Sequence, residues 1–158
     1  MTFLGELRNY QKEVLQFTID KRAILNAMEL GTGKTVVSLA YCESIKPQNP
    51  NVLILCPSAI IYQWQEEIEK FTDSKSIIIN GNKSKRQKQW QEESYYYITN
   101  YEKLRTDIEL FQKVWGVVIL DECTKIKSPK AILTQKSYQL RGVKKLCLSG
   151  TPIHNTPN

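Results

Sequence analysis

The sequence predicts an α/β fold with a largely parallel sheet, and two observations carry that prediction. Segments patterned as apolar strands alternate along the chain with segments patterned as helices. The polar motifs fall at the ends of those strands or at the starts of the helices that follow, where open α/β sheets place their ligands.

Leu4, Leu7, Val14 and Leu15 mark one face of a first helix, and Ala23 to Ala27 reads as the strand that feeds Gly31-Thr32-Gly33-Lys34-Thr35. The apolar pattern resumes at Val36, Val37, Leu39 and Ala40. A helix is therefore expected to start near Gly33 and to end before Lys46-Pro47-Gln48-Asn49-Pro50, whose prolines stop it. Val52 to Cys56 is a buried strand. Ile60, Ile61, Trp64, Ile68 and Phe71 then recur at helical spacing, which makes Trp64 a core residue rather than a platform for stacking bases. Ser76 to Asn80 and Tyr95 to Thr99 are further strands. The polar segment between them holds Lys83, Lys85, Arg86 and Lys88, which either grip phosphates or form a solvated face. Strand alternation favours core packing for Tyr95-Tyr96-Tyr97. Leu104, Ile108 and Phe111 mark another helix, Trp115 to Leu120 a strand, Ala131 to Leu140 a helix, and Lys144 to Leu148 the last strand.

A chain of 158 residues is one domain by size and can bury a core without disulfides or metals. Its formal net charge of +6 favours an anionic partner. Cys42, Cys56, Cys123 and Cys147 are scattered, without the close spacing of a zinc or redox motif; Cys56 and Cys147 lie in apolar strands and read as buried, reduced thiols of a cytoplasmic protein. The start of the chain lacks a basic segment followed by an apolar run, and no apolar stretch is long enough to span a bilayer, so secretion and membrane insertion are not expected.

The chemistry concentrates in two places. Around a triphosphate the backbone must approach closely and aim N–H groups at anionic oxygens, which Gly31 and Gly33 permit. A helix starting there points its positive end at the phosphates, Lys34 supplies a full charge to the β and γ phosphates, and the Thr35 hydroxyl can sit on magnesium. Far downstream, Val117-Val118-Ile119-Leu120 leads into Asp121-Glu122, which the strand end projects into the crevice beyond the sheet. Asp121 is then a magnesium carboxylate, acting through water, and Glu122 the group that orients or deprotonates the attacking water. The expected substrate is ATP with Mg²⁺.

With those residues in place, the chain resembles the Swi/Snf-like branch of the superfamily 2 helicases and DNA translocases over nearly its whole length. Leu7-Arg8-Asn9-Tyr10-Gln11 is similar to the adenine-reading Q motif, and Met28 to Thr35 to motif I, with Met28 where the full P-loop pattern has glycine. Leu53-Ile54-Leu55-Cys56-Pro57, followed by Trp64 and Phe71, resembles motif Ia and its helix. Ile98-Thr99-Asn100-Tyr101-Glu102 resembles the segment that touches the DNA backbone. Asp121 to Lys130 resembles motif II with its flank, and Leu148-Ser149-Gly150-Thr151-Pro152 with Asn155 resembles motif III. The segments come in the family's order, which is far more specific than any one of them.

The resemblance implies a P-loop NTPase (RecA-like) three-layer fold with a mostly parallel central sheet. It also implies a nucleotide site of Arg8, Gln11, Gly31 to Thr35, Asp121 and Glu122, with Lys34 and Glu122 catalytic and Thr35 and Asp121 on the metal. Pro57, Thr99, Asn100 and Tyr101 are implied at DNA, by contacts to phosphate and sugar that carry no sequence information, so nonspecific duplex binding is expected. Thr124, Ser149, Gly150 and Thr151 are implied to couple hydrolysis to movement. The family often has His at position 124 and Gln at position 154, where this chain has Thr124 and His154. The chain stops at Asn158, just after motif III, whereas in the family a second RecA-like lobe follows with arginine fingers worth roughly a thousandfold in rate. Slow turnover without that lobe, supplied in cis or in trans, is therefore expected. The compact motif spacing suggests a bacterial or phage protein. Two other readings are a non-catalytic ATP- or DNA-binding module and a small-molecule kinase; Gln11 and Ser149-Gly150-Thr151-Pro152 disfavour the kinase, which duplex DNA would not stimulate.

Overall fold

The computed structural model describes residues 3–19, 23–26, 33–107, 115–122 and 142–148. Within them the chain forms strands β1 (Ala23–Asn26), β2 (Val52–Cys56), β3 (Ser76–Ile78), β4 (Tyr96–Asn100), β5 (Trp115–Asp121) and β6 (Gly142–Leu148). The helices are α1 (Asn9–Ile19), α2 (Lys34–Ser44), α3 (Ile61–Phe71), α4 (Lys83–Gln91) and α5 (Tyr101–Thr106). The strands lie in the order β1-β6-β5-β2-β4-β3, and every described pairing is parallel.

A sheet covered on both faces needs strands that are apolar on both sides. Every residue of β2 is buried, and so are 117–121 of β5. Val52, Ile54, Cys56, Val117 and Ile119 pack on one face with Leu39 and Cys42 of α2 and Trp64 and Ile68 of α3. Leu53, Leu55, Val118 and Leu120 pack on the other with Trp90 of α4 and Tyr101 of α5. The period-two split of adjacent residues between two cores makes the three layers expected from the sequence. Tyr95 and Tyr96 join the first core and Tyr97 the second, so all three tyrosines are interior.

Several expectations shift. The first helix starts at Asn9, after Leu4 and Leu7, and Leu4 is 65% exposed. The backbone there is engaged elsewhere: Phe3 bridges Thr72, and the Leu4 N–H donates to the Phe71 carbonyl at 2.6 Å, tying the start of the chain to the end of α3. The basic segment is helix α4, and Arg86 within it is not a phosphate grip. Its guanidinium is buried against Asp107, with Nε and a second nitrogen donating at 2.6 and 2.8 Å to the two carboxylate oxygens. Cys147 is only half-buried, while Cys42 and Cys56 are interior. The helix expected at 131–140, and Ile108 and Phe111, lie outside the described residues.

Candidate active site

The site is assembled at the carboxyl edge of the sheet. Gly33 caps α2 in the left-handed region, at φ 80° and ψ 36°, a conformation that costs glycine nothing. A Cβ there would stand 2.2 Å from Nε2 of Gln11, so a side chain would also have to displace the Gln11 amide. Gln11 is 6% exposed, and its Oε1 accepts the Arg8 N–H at 2.8 Å, the glutamine half of a capping box at the start of α1. Gln11 thus holds its own helix and lies over the glycine that opens the next.

Lys34 follows as the first residue of α2, and its ammonium reaches across to the end of β5. Nζ lies 3.0 Å from Oδ1 of Asp121 and 3.5 Å from Oε1 of Glu122. Asp121 is 2% exposed, and both carboxylate oxygens are engaged. Oδ1 also accepts the Glu122 N–H at 2.9 Å, and Oδ2 accepts the indole N–H of Trp64 at 2.9 Å. The Tyr101 hydroxyl donates to the Asp121 carbonyl at 2.5 Å. Glu122 itself takes φ 56°, a left-handed conformation that costs a non-glycine residue about 1–2 kcal/mol and is characteristic of functional sites. Lys34, Thr35, Trp64, Glu67, Asp121 and Glu122 line one cavity of about 130 Å³. Behind it, burial and then the charge of Asp121 push the Cys56 thiol up to about 12, so it stays protonated and inert.

A carboxylate and a hydroxyl on one cavity wall are the hard oxygen donors that suit Mg²⁺, which binds one or two such groups together with substrate phosphates rather than a closed protein cage. Thr35 and Asp121 provide that pair. Of the residues expected at the nucleotide, Arg8, Gln11, Gly33, Lys34, Thr35, Asp121 and Glu122 are described, while Gly31 and Thr32 lie outside the described residues, as do Thr124, Ser149, Gly150, Thr151 and His154.

The residues expected at DNA divide. Thr99 is fully buried and its hydroxyl donates to the Ile79 carbonyl; Tyr101 is 4% exposed and its hydroxyl is spent on Asp121. Thr99 points into the fold from β4, an inner strand of the sheet, and Tyr101 does so from the start of α5, so neither hydroxyl faces solvent. Pro57 and Asn100 remain half-buried at the edge. Asn100 caps α5 by accepting the Lys103 N–H at 3.0 Å and donates to Oγ of Ser58 at 3.0 Å. The sequence reading missed that Trp64 and Tyr101 both serve Asp121. The available signal was chemical: a buried indole N–H or phenol needs an acceptor.

The model of the SNF2-related domain family matches residues 10–158. The chain belongs to the SNF2-related family. It is 31% identical to the ATP-dependent helicase BRM of Arabidopsis thaliana, covering 96% of this chain and 8% of that protein. It is also 31% identical to an ATP-dependent helicase of Mycoplasma pneumoniae, covering 96% of this chain and 16% of that protein. This SNF2-related chain therefore spans a small part of the relatives it matches. Among solved structures, the Sulfolobus solfataricus SWI2/SNF2 ATPase core in complex with double-stranded DNA superposes with a TM-score of 0.90 at 26% identity, over 98% of this chain and 34% of that one. The relatives range from plant to mycoplasma, so the family does not single out a bacterial or phage origin. Among the described residues no helix is long and apolar enough to cross a membrane.

Proposed function

We propose that this chain is the ATP-binding lobe of a DNA-dependent ATPase that couples hydrolysis to movement along duplex DNA. The observation that carries the proposal is the placement of Lys34, at the start of α2, within ion-pair reach of both Asp121 and Glu122 across the sheet edge of an SNF2-related domain. A lysine so placed can exchange its carboxylate partners for the β and γ phosphates, which leaves Oδ1 of Asp121 and the Thr35 hydroxyl to hold Mg²⁺. The metal would neutralise charge on the phosphate oxygens. Glu122 orients a water and takes its proton as the water oxygen bonds to the γ phosphorus; the bond from that phosphorus to the bridging oxygen breaks, leaving ADP and phosphate. Gln11, beside Gly33, and Arg8, whose N–H it accepts, would read the adenine end. Pro57 and Asn100 are the proposed contacts to the DNA backbone. A second RecA-like lobe, in cis or in trans, would complete the charge stabilisation.

Steady-state ATP hydrolysis with and without duplex DNA at low salt tests this, with Lys34→Ala and Glu122→Gln alongside. The expected result is turnover that is slow without a second lobe, rises with DNA and is lost in both variants, with ATP binding kept in Glu122→Gln and weakened in Lys34→Ala. ATP consumption unaffected by both substitutions would refute the assignment.

A further inference from the structure

We propose that Trp64 and Tyr101 are positioning residues that hold Asp121 by its side chain and by its main chain, and that they tie this nucleotide carboxylate to the paired turns at Ser58 and Asn100. The inference rests on the nucleotide reading above. Four donors converge on Asp121: Lys34 Nζ, the Glu122 N–H, the Trp64 indole and the Tyr101 hydroxyl. Once Lys34 turns to phosphate, Oδ1 loses its charged partner. Oδ2 keeps its anchor, because Trp64 is 2% exposed and belongs to the same packed core as Ile54, Ile68 and Ile119. The indole therefore selects which oxygen faces the cavity. Tyr101, 4% exposed on the opposite face of the sheet, holds the carbonyl of the same residue.

Both anchors lie close to the surface turns. Ser58 begins a 3₁₀ turn, Ser58–Ile60, that runs straight into α3, and Trp64 is in the first turn of that helix. Tyr101 is the first residue of α5, directly after its cap Asn100. The Asn100 side-chain amide joins the two turns by donating to Ser58 Oγ at 3.0 Å. Ser58, α3, Trp64, Asp121, Tyr101 and Asn100 thus form a closed ring of covalent and hydrogen bonds threading both faces of the sheet. Closure has a mechanical consequence: a phosphate that draws on Ser58 or Asn100 displaces helix starts whose first turns carry Trp64 and Tyr101, both of which end on Asp121. Coupling of this kind is read as the change that DNA makes in nucleotide affinity.

The test titrates a fluorescent ATP analogue into the unaltered chain, Tyr101→Phe and Trp64→Phe, with Mg²⁺ and with EDTA, then repeats the Mg²⁺ series with duplex DNA. Groups that orient a metal ligand typically change metal affinity by about ten- to a hundredfold, so Trp64→Phe is expected to reduce the magnesium-dependent gain in affinity about tenfold, with affinity in EDTA unchanged. Tyr101→Phe, which removes one oxygen and preserves the packing, is expected to reduce that gain severalfold and to abolish any effect of DNA on it. A merely structural role would lower the melting temperature and leave the magnesium gain intact, and that result in Tyr101→Phe overturns the proposal even if Trp64→Phe fails to fold. If the unaltered chain shows no magnesium gain at all, the nucleotide reading falls and this inference with it; a normal gain that neither substitution alters sinks the inference alone.

Discussion

Glu122 is where conformation and chemistry conflict most openly. Its φ of 56° is unfavourable for any L residue, yet the turn it makes aims its N–H at Oδ1 of the preceding Asp121 and places its own carboxylate near Lys34. Comparing Glu122→Gly with Glu122→Ala isolates the backbone cost, because neither variant keeps the carboxylate. The glycine variant is expected to be more stable in urea unfolding by about 1 kcal/mol, with both inactive. Equal stabilities would mean that the turn is not held left-handed in solution. Gly33 presents the opposite case, where the residue type and the φ of 80° agree. Such agreement made this half of the site readable in the sequence, since a glycine before Lys-Thr is a backbone requirement written in residue type. The left-handed Glu122 had no such signature, and nor did the two buried donors on Asp121, because an indole N–H or a phenol leaves no local pattern that names its acceptor.

At the scale of elements, strands were legible and surface charge was not. Continuous apolar runs such as Val52 to Cys56 can only be satisfied between two covered faces, and β2 has those bounds. The basic run on α4 looked like a solvated or phosphate-facing stripe, but Arg86 turns inward because Asp107, at the end of α5, offers both carboxylate oxygens across 21 residues of sequence. No periodicity reports a partner that far away. Leu4 and Leu7 failed for a related reason: their spacing suits a helix, but the backbone at Leu4 is taken by Phe71. The Arg86–Asp107 pair makes a stability prediction with a definite sign. Burial alone would raise the Asp107 pKa, but the hydrogen bonds and charge of Arg86 outweigh it and hold the carboxyl below its ordinary value. A depressed folded-state pKa contributes stability that is present above the unfolded value of about 3.9 and is lost as pH falls through the lower folded value. Arg86→Ala, which leaves a buried carboxylate unpaired, is expected to cost about 3 kcal/mol near neutral pH. That deficit should shrink as pH falls toward and then below about 4: without Arg86, burial raises the Asp107 pKa, so the variant's carboxyl takes up its proton first, above the unfolded value, and the wild type's only below it. Urea unfolding of both proteins across that range checks it; a deficit that grows in acid would contradict the pairing.

For the molecule as a whole, charge and burial together bear on where duplex DNA would be gripped. The net charge of +6 attracts a polyanion without locating it, and the burial of Thr99 and Tyr101 narrows the proposed strand-edge contacts to Pro57 and Asn100, with Ser58 joined to Asn100 by a hydrogen bond. The Ser58 hydroxyl and the Asn100 amide suit phosphate and sugar oxygens and are blind to base identity. Asn100→Asp is an informative probe because aspartate caps a helix as well as asparagine does, so α5 should survive while a negative charge enters the turn. Duplex affinity is expected to drop severalfold, equally for unrelated sequences, and binding by the unaltered chain should weaken linearly in log–log salt titrations with a slope of about −0.9 per phosphate engaged. Replacing Lys83 and Lys85 by glutamate on α4 separates this from diffuse attraction. A charge effect spread over the surface would make the α4 double substitution the more damaging of the two, since it changes the net charge by more. If instead the turn holds the phosphate, one charge at position 100 outweighs four units of charge on α4, because a contact at hydrogen-bond distance is screened far less by salt than charges a Debye length away.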